Sequence, residues 1–439
     1  MATQRTRSRC TPYTEPYPDE LSACLWHLDA DTDYRFLGAD PAFDINLGNV
    51  WDTTMGAGVT VAVVDHAWEA THEDIRDNTV GGRGVAPRAT LVNHNFLDSP
   101  SKAAEVTAMT LNKETVAVYN LSYGTPDSYY PTSSGHLWRQ AVDEGLHWGF
   151  GGKGSSYVKA AGNGALSAGS DWASLEESNN HRGIITVCAL DADGESASYS
   201  EDGASLWACA PGGDLYPEPR ILAPIGNNGY ADAIVGTSAS APMVSGVIAL
   251  MRSVNADLTW RDVKVILANT AQKNHASHSS WMTGAAKYGS DTERYSFSYE
   301  YGFGAVDARA AVAAASSWAL LAPEYTGCEA GTCGLRGTFR FGSSRHLGEN
   351  PSGTWRLKVR RYAPDVVGCN SSGNGTGAVQ SSRCQRISSF SETITSWKIS
   401  VAGHTSSTTQ PVTLSVTPST VTEGGDAEID VRDWGGRVV

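Results

Sequence analysis

AGVTVAVV, residues 57–64, follows Gly56 as a short run of β-branched and small apolar side chains. A strand wetted on one face alternates polar and apolar residues. A continuous apolar run fits a strand covered on both faces, as in a parallel sheet between helices. Similar runs recur at Ala89–Val92, Val116–Leu121, Tyr157–Ala161 and Ile184–Ala189. Between them, Leu137–Leu146 (Leu137, Ala141, Val142) and the segment around Ala103–Leu111 carry helical spacing. The alternation predicts an α/β sandwich with a mostly parallel sheet. Further helices are expected at Ser240–Val254, at Trp260–Thr270 with Thr259 or Asp257 as cap, and at Val306–Trp318. After roughly residue 322 the texture changes to Gly, Ser, Thr and Arg with short alternating runs, such as Trp355–Val359 and Trp397–Val401. These read as strands of a separate all-β module.

The 439 residues are 41% hydrophobic and 18% charged, too apolar for a disordered chain. No apolar run is long enough to span a bilayer. Forty-seven Asp+Glu against 33 Lys+Arg give a net charge of −14. That balance, without a clustered basic surface, argues against a nucleic-acid partner. It fits an extracellular or calcium-loaded protein, or one that handles basic ligands. Eight cysteines stand at 10, 24, 188, 209, 328, 333, 369 and 384. Cys328/Cys333 and Cys369/Cys384 are close enough in sequence for local bridges in an oxidising compartment, the alternative being buried thiols. Their spacings match no zinc site. The opening MATQRTRSRC has no apolar stretch behind it, so no signal peptide is visible in this chain.

The most informative block chemically is GTSASAPM, residues 236–243. Ser238 stands at the head of a helix among small residues, which let a substrate carbonyl approach. A helix start also offers free N–H groups to a developing oxyanion. Asp65 ends the first buried strand, where an α/β sheet puts functional groups. Asn163, in AAGNG after another buried strand, supplies an amide that could donate to the same oxyanion.

With these blocks on the page, the chain resembles the subtilisin-like serine proteases, within them the kexin- and furin-like proprotein convertases and their bacterial relatives. The matching blocks are LWHL (25–28), DINL (44–47), VTVAVVD (59–65), HED (72–74), GVAPRATL (84–91), NLSYG (120–124), AAGNG (160–164), GTSASAP (236–242), LTWRDVKVILA (258–268) and YGFGAVDA (301–308). The resemblance implies a subtilisin-like three-layer α/β sandwich. It makes Asp65 the triad acid, Ser238 the nucleophile and Asn163 the oxyanion donor of an acyl-enzyme endopeptidase. Leu121, Ser122, Tyr123 and Gly124 would be the edge that pairs with a peptide or protein substrate. His66 would lie at the cleft rim, and Glu176, with its neighbour Glu177, near where convertases place acids that select basic residues.

The departure from the family is the histidine. Its members run Asp, His, Ser, with the His in an H-G-T block shortly before GVAP. Residues 72–87 here read HEDIRDNTVGGRGVAP, with no H-G-T and a join near Ile75/Arg76. None of the 11 histidines has a comparable context. Without an imidazole Ser238 has no general base and the leaving amine no acid. The expectation is a protease impaired as written. The alternatives are a non-catalytic, calcium- and peptide-binding pseudoprotease, or an incomplete gene model of an active protease.

The resemblance also implies Ca²⁺. Asp44 and Asn78, with carbonyls around Ile75, Val80 and Gly82, match one family site. Asp127, Asp171 and Glu201 match a second beneath the specificity pocket, and such hard oxygen donors suit the ion. Asp191 and Asp193 in DADG read as a hairpin turn. RHLGENPSGTWRLKV (345–359) and ITSWKISVAGH (394–404) look like the second half of the P (Homo B) domain that follows convertase catalytic domains. The expected organisation is an extension over 1–24, a peptidase domain lacking its His segment over 25–321, a partial, jelly-roll P domain over 322–404, and a linker plus the start of a further β-sandwich module over 405–439. By resemblance the protein is a secretory or extracellular monomer, and its sequons at Asn370 and Asn374 matter only in a eukaryotic secretory route.

Overall fold

The computed structural model describes residues 25–30, 43–76, 84–126, 130–166, 172–215, 219–288 and 293–321, together with short strands after residue 352. Contacts divide the chain into two units, residues 1–323 with 330–347, and residues 324–329 with 348–439.

Two short helices, α1 (Val50–Thr53) and α2 (Glu73–Arg76), flank strand β1 (Thr60–Asp65). There follow β2 (Thr90–Asn95), α3 (Lys102–Ala108), β3 (Val116–Leu121), α4 (His136–Gly152), β4 (Ser156–Ala160), β5 (Ile184–Leu190) and β6 (Leu206–Pro211). The hairpin β7 (Ile221–Ile225) and β8 (Gly229–Ile234) leads into the long helix α5 (Thr237–Val254). The unit closes with α6 (Trp260–Thr270), the hairpin β9 (Met282–Tyr288) and β10 (Glu293–Phe297), and α7 (Ala308–Ser316). Every apolar run named from sequence is a strand, although the second begins and ends later than expected, at Thr90–Asn95. The LWACAP strand, β6, is fully buried yet was not legible, because two alanines, one cysteine and a proline give no β-branched signal.

Strands β1–β6 form one six-stranded sheet in the order β2-β1-β3-β4-β5-β6. Every adjacent pair is parallel. The period-2 alternation of a strand sorts its side chains onto two faces. Val61, Val118, Val158 and Ile185 join α5, α6 and α7 in one core. Their sequence neighbours Ala62, Tyr119, Tyr157 and Ile184 join Met109, Trp138, Val142 and Leu146 in a second core against α3 and α4. The result is the expected three-layer α/β sandwich. Thr259, rather than Asp257, caps α6, in a reciprocal capping box with Asp262. The DADG segment does turn back on itself, with Gly194 N–H bonded to Asp191 O and Leu190 bridged to Ser196.

Cys188 and Cys209 lie opposite each other on neighbouring strands, with Cα atoms 4.4 Å apart, and are joined as a disulfide. Sequence spacing had favoured pairs among the later cysteines, all of which lie outside the described residues. Arg252, fully buried in α5, donates to Ala117 O at 3.1 Å and Gly154 O at 2.7 Å and stacks 4.6 Å from the Phe150 ring centroid. In the second unit, Gly353–Lys358 pairs antiparallel with Asp426–Val431, and Trp397–Ser400 with Thr413–Val416.

Candidate active site

The strand order reverses between β1 and β3, which sends β2 to one side of β1 and β3 to the other. An α/β sheet opens a crevice outside the carboxyl ends of its strands at such a point. Three segments meet there: the end of β1 at Asp65, the loop after β3 at Ser122–Gly124, and the loop after β4 at Gly162–Asn163. The fourth is the N-terminus of α5. Gly236 precedes it at φ 131°, a conformation that favours glycine, and leads straight into Thr237 and Ser238. The helix begins at Thr237, three residues before the expected Ser240.

Ser238 is exposed, and its Oγ donates to Ser122 O at 3.2 Å. It lies in the first helical turn, where backbone N–H groups have no carbonyl four residues earlier within the helix. Pro242 sits four residues after Ser238 and lacks the N–H that would pair with the Ser238 carbonyl. The Ser122 hydroxyl takes that place, donating to Ser238 O at 3.1 Å. Asn120 Nδ2 donates in turn to Ser122 Oγ at 2.9 Å, and Asn120 Oδ1 is 2.9 Å from Ser245 Oγ, two turns along α5. A polar chain, buried at its Asn120–Ser245 end, therefore fixes the β3 loop against the helix that carries Ser238.

Asn163 is oriented by Thr237. Its Oδ1 accepts the Thr237 N–H at 2.9 Å and the Thr237 hydroxyl at 3.0 Å. A backbone N–H must meet an oxygen, so the amide cannot be flipped, and Nδ2 is turned away as the available donor. Asp65 Oδ1 accepts the N–H of His66 at 2.8 Å. The His66 ring is turned elsewhere, with Nδ1 2.7 Å from Asp98 Oδ1. That hydrogen bond, with one from Asn95, holds the exposed Asp98 carboxyl below its ordinary range. His72 is buried, its Nε2 3.1 Å from Gly229 O and its ring edge-on to Tyr230. His94 is buried with Nδ1 3.3 Å from Ala108 O, and burial pushes its pKa down. Among the described residues no imidazole is hydrogen-bonded to Asp65 or to Ser238.

A cleft of about 610 Å³, open to solvent, lies between Ser122–Thr125 on one side and Ala160 and Gly162 on the other, with Ser238 and Asn163 also in its lining. Ser122, Tyr123 and Gly124 thus face it, whereas Leu121 is fully buried in β3. Glu176 lines the cleft; Glu177 does not, and is instead buried in an ion pair with Arg139 at 2.7 Å and a hydrogen bond from Ser133 at 2.7 Å. Glu201 also lines the cleft and stands behind Gly162, where a Cβ would come within 2.2 Å of its Oε1. Sequence reading missed Lys159, a single charge in the buried strand β4 that reaches Glu176.

The expected cation ligands are only partly within the described residues. Asn78, Val80, Gly82, Asp127 and Asp171 lie outside them. Asp44 turns its carboxylate to backbone, accepting Ala30 N–H at 2.6 Å and Asn46 N–H at 2.5 Å. Glu201 accepts Gly164 N–H at 3.0 Å. Among the described residues no three His, Cys, Asp or Glu side chains converge as a metal group, so the donors present do not by themselves make a calcium cage. No helix among them is long and apolar enough to cross a membrane.

The sequence profile of the Subtilase family matches residues 76–304. Proprotein convertase subtilisin/kexin type 6 of Homo sapiens is 31% identical over 244 residues, 55% of this chain and 24% of that protein. Proprotein convertase subtilisin/kexin type 7 of Mus musculus is 29% identical over 360 residues, 71% of this chain and 44% of that one. Furin of Bos taurus is 30% identical over 253 residues, 57% and 30% of the two chains. The chain thus spans less than half the length of these relatives. Among solved structures, the serine protease of Aeromonas sobria superposes with a TM-score of 0.59 at 21% identity, covering 82% of this chain and 77% of its own.

Proposed function

The chain belongs to the subtilase family and is related to the proprotein convertases, and from that premise we propose that it carries the acyl-transfer site of a subtilisin/kexin-type serine endopeptidase, impaired as written. In this reading Ser238 is the nucleophile, Asp65 the acid that would orient a base, and Asn163 the oxyanion donor. A peptide lies along Ser122–Gly124, paired to the backbone as an added strand. The observation that carries the impairment is the pair of hydrogen bonds at the two catalytic ends. Ser238 Oγ has a backbone carbonyl as partner and Asp65 a backbone N–H, so among the described residues no imidazole joins them to move a proton. A serine hydroxyl is a weak nucleophile at neutral pH without an adjacent base. A fluorophosphonate probe is therefore expected to leave Ser238 unlabelled under conditions that saturate an active subtilase. Labelling at a comparable rate would show that a base reaches Ser238 after all.

The same observation favours a second reading, in which the chain holds peptides without turning them over. Both readings place the protein in a secretory or extracellular setting. We extend the proposal to residues 322–404 as a partial P domain and 405–439 as the start of a further module, on the sequence resemblance alone; the ladders beyond residue 352 pair strands of the first stretch with strands of the second.

Ca²⁺ remains part of the proposal through Asp44 and Glu201 together with partners outside the described residues. The measurement is a thermal melt with millimolar Ca²⁺ against chelator. A rise of several degrees with Ca²⁺, lost in both Asp44→Ala and Glu201→Ala, is expected from binding to the folded state. Identical melts would remove both sites.

A further inference from the structure

Lys159 is the single charged residue in the buried strand β4, and its side chain is 2% exposed. Its Nζ donates to Glu176 Oε2 at 3.0 Å, while Glu176 Oε1 accepts the Ser178 hydroxyl at 2.9 Å. The pair lies directly against one wall of the cleft. A Cβ placed on Gly124 would come 2.8 Å from Glu176 Oε2 and 3.5 Å from Lys159 Nζ. The carboxylate that could greet an incoming cation is thus already engaged on both oxygens, one of them by a buried ammonium.

A basic substrate side chain entering here would have to displace Lys159 or sit beside it. Displacement leaves an ammonium buried without a partner, and sitting beside it sets two like charges at close range. The other carboxylate lining the cleft among the described residues, Glu201, is held by the Gly164 N–H behind Gly162. The remaining lining includes Tyr123, Tyr130, Trp172 and Leu175, which offer apolar and aromatic surface.

We propose that Lys159 is a specificity-determining residue. By occupying Glu176 it makes the cleft select a large uncharged side chain, rather than Lys or Arg, at the substrate residue on the amino side of the bond facing Ser238. This rests on the peptide-cleft reading above and deepens it, and it reverses the basic preference that Glu176 suggests when considered alone.

Binding tests this without requiring turnover. Five fluorescently labelled peptides, identical except for Phe, Leu, Glu, Arg or Lys at that one residue, are titrated with the full chain and read by anisotropy. The Phe and Leu peptides are expected to bind at least tenfold tighter than the Arg and Lys peptides. Lys159→Met should strengthen the Arg peptide at least tenfold and leave the Phe peptide within threefold. Lys159→Met/Glu176→Gln, with both charges gone, should keep the preference for Phe. Preference of the unmodified chain for Arg or Lys overturns the proposal without any variant having to fold. An Arg affinity unchanged in a folded Lys159→Met overturns it equally. Failure of all five peptides to bind overturns the peptide-cleft reading itself, and this inference with it.

Discussion

Insertion of an H-G-T-bearing helical segment between Ile75 and Arg76 is expected to raise peptide hydrolysis by the chain on the order of a million-fold. That is the size of the loss when the histidine alone is removed from subtilisin. The expectation rests on what already stands around the insertion point. Asp65 stands at the end of β1 with one oxygen accepting its neighbour's N–H, Ser238 is exposed at the head of α5, and Asn163 is locked by Thr237 with its amide nitrogen turned away from that bond. The missing component is the imidazole that takes the Ser238 proton and later gives it to the leaving amine. The insertion point falls within the last turn of α2, a four-residue helix outside the sheet, so the added segment interrupts no strand. Turnover is read with a fluorogenic peptide, and Ser238→Ala in the same inserted chain must return it to background. A folded inserted chain with no gain in rate would mean that Asp65 and Ser238 are not poised as a catalytic pair. Sequencing the transcript across codons 75 and 76 is the companion measurement. An H-G-T block there would make the gap an error of the gene model, and its absence would make the gap a property of the protein.

Stability is expected to rise with pH between about 7 and 9.5 because of Lys264, and to lose most of that rise in Lys264→Met. Lys264 lies buried in α6, donating to Ile184 O at 2.7 Å and Arg182 O at 3.0 Å, with Nζ 3.8 Å from the Trp207 ring centroid. Burial, reinforced by the charge of Arg182, lowers its pKa from 10.5 to about 7. From about pH 7 up to 10.5 the unfolded chain binds a proton that the folded chain has released, so unfolding becomes less favourable as pH rises. The slope approaches about 1.4 kcal/mol per pH unit, and the cost of burying the charge is fully present below pH 7. Over the whole interval this is roughly 4–5 kcal/mol, comparable with the net stability of many domains. Denaturant midpoints at pH 7, 8, 9 and 9.5 for both proteins decide the matter. The comparison stops at 9.5 because the buried tyrosines, Tyr157 among them, have pKa values pushed up by burial and oppose the trend once unfolded tyrosines ionise. Parallel slopes in the two proteins would show that Lys264 keeps its proton in the fold.

Much of the site was legible because catalytic groups of this kind sit where secondary structure ends. Asp65, Asn163 and Ser238 each follow a recognisable strand or open a recognisable helix, and local sequence carries both the residue and its position. The expectation of a missing histidine came from the same kind of reading, as the absence of a short block between two others. Pairings across the fold were not legible. Cys188 and Cys209 are separated by 21 residues and become neighbours only because β5 and β6 are adjacent in the sheet. The β6 strand itself was missed because small residues and cysteine give weak strand propensity, and only its pairing with β5 in the folded sheet makes it a strand.

By itself the sequence determined the layered α/β fold and the family, and it marked Asp65, Asn163 and Ser238 as candidates, since all of these follow from periodicity and from blocks a few residues long. Only the tertiary structure decided what those residues meet. It put the Ser122 hydroxyl on the carbonyl left unpaired by Pro242, and Thr237 on the acceptor end of Asn163. It also put a buried lysine on the carboxylate that sequence alone assigned to basic substrates. The physical reason is that a charge acts through its nearest partner, and Lys159 reaches Glu176 across 17 residues of chain through the folding of β4 against the loop that follows it.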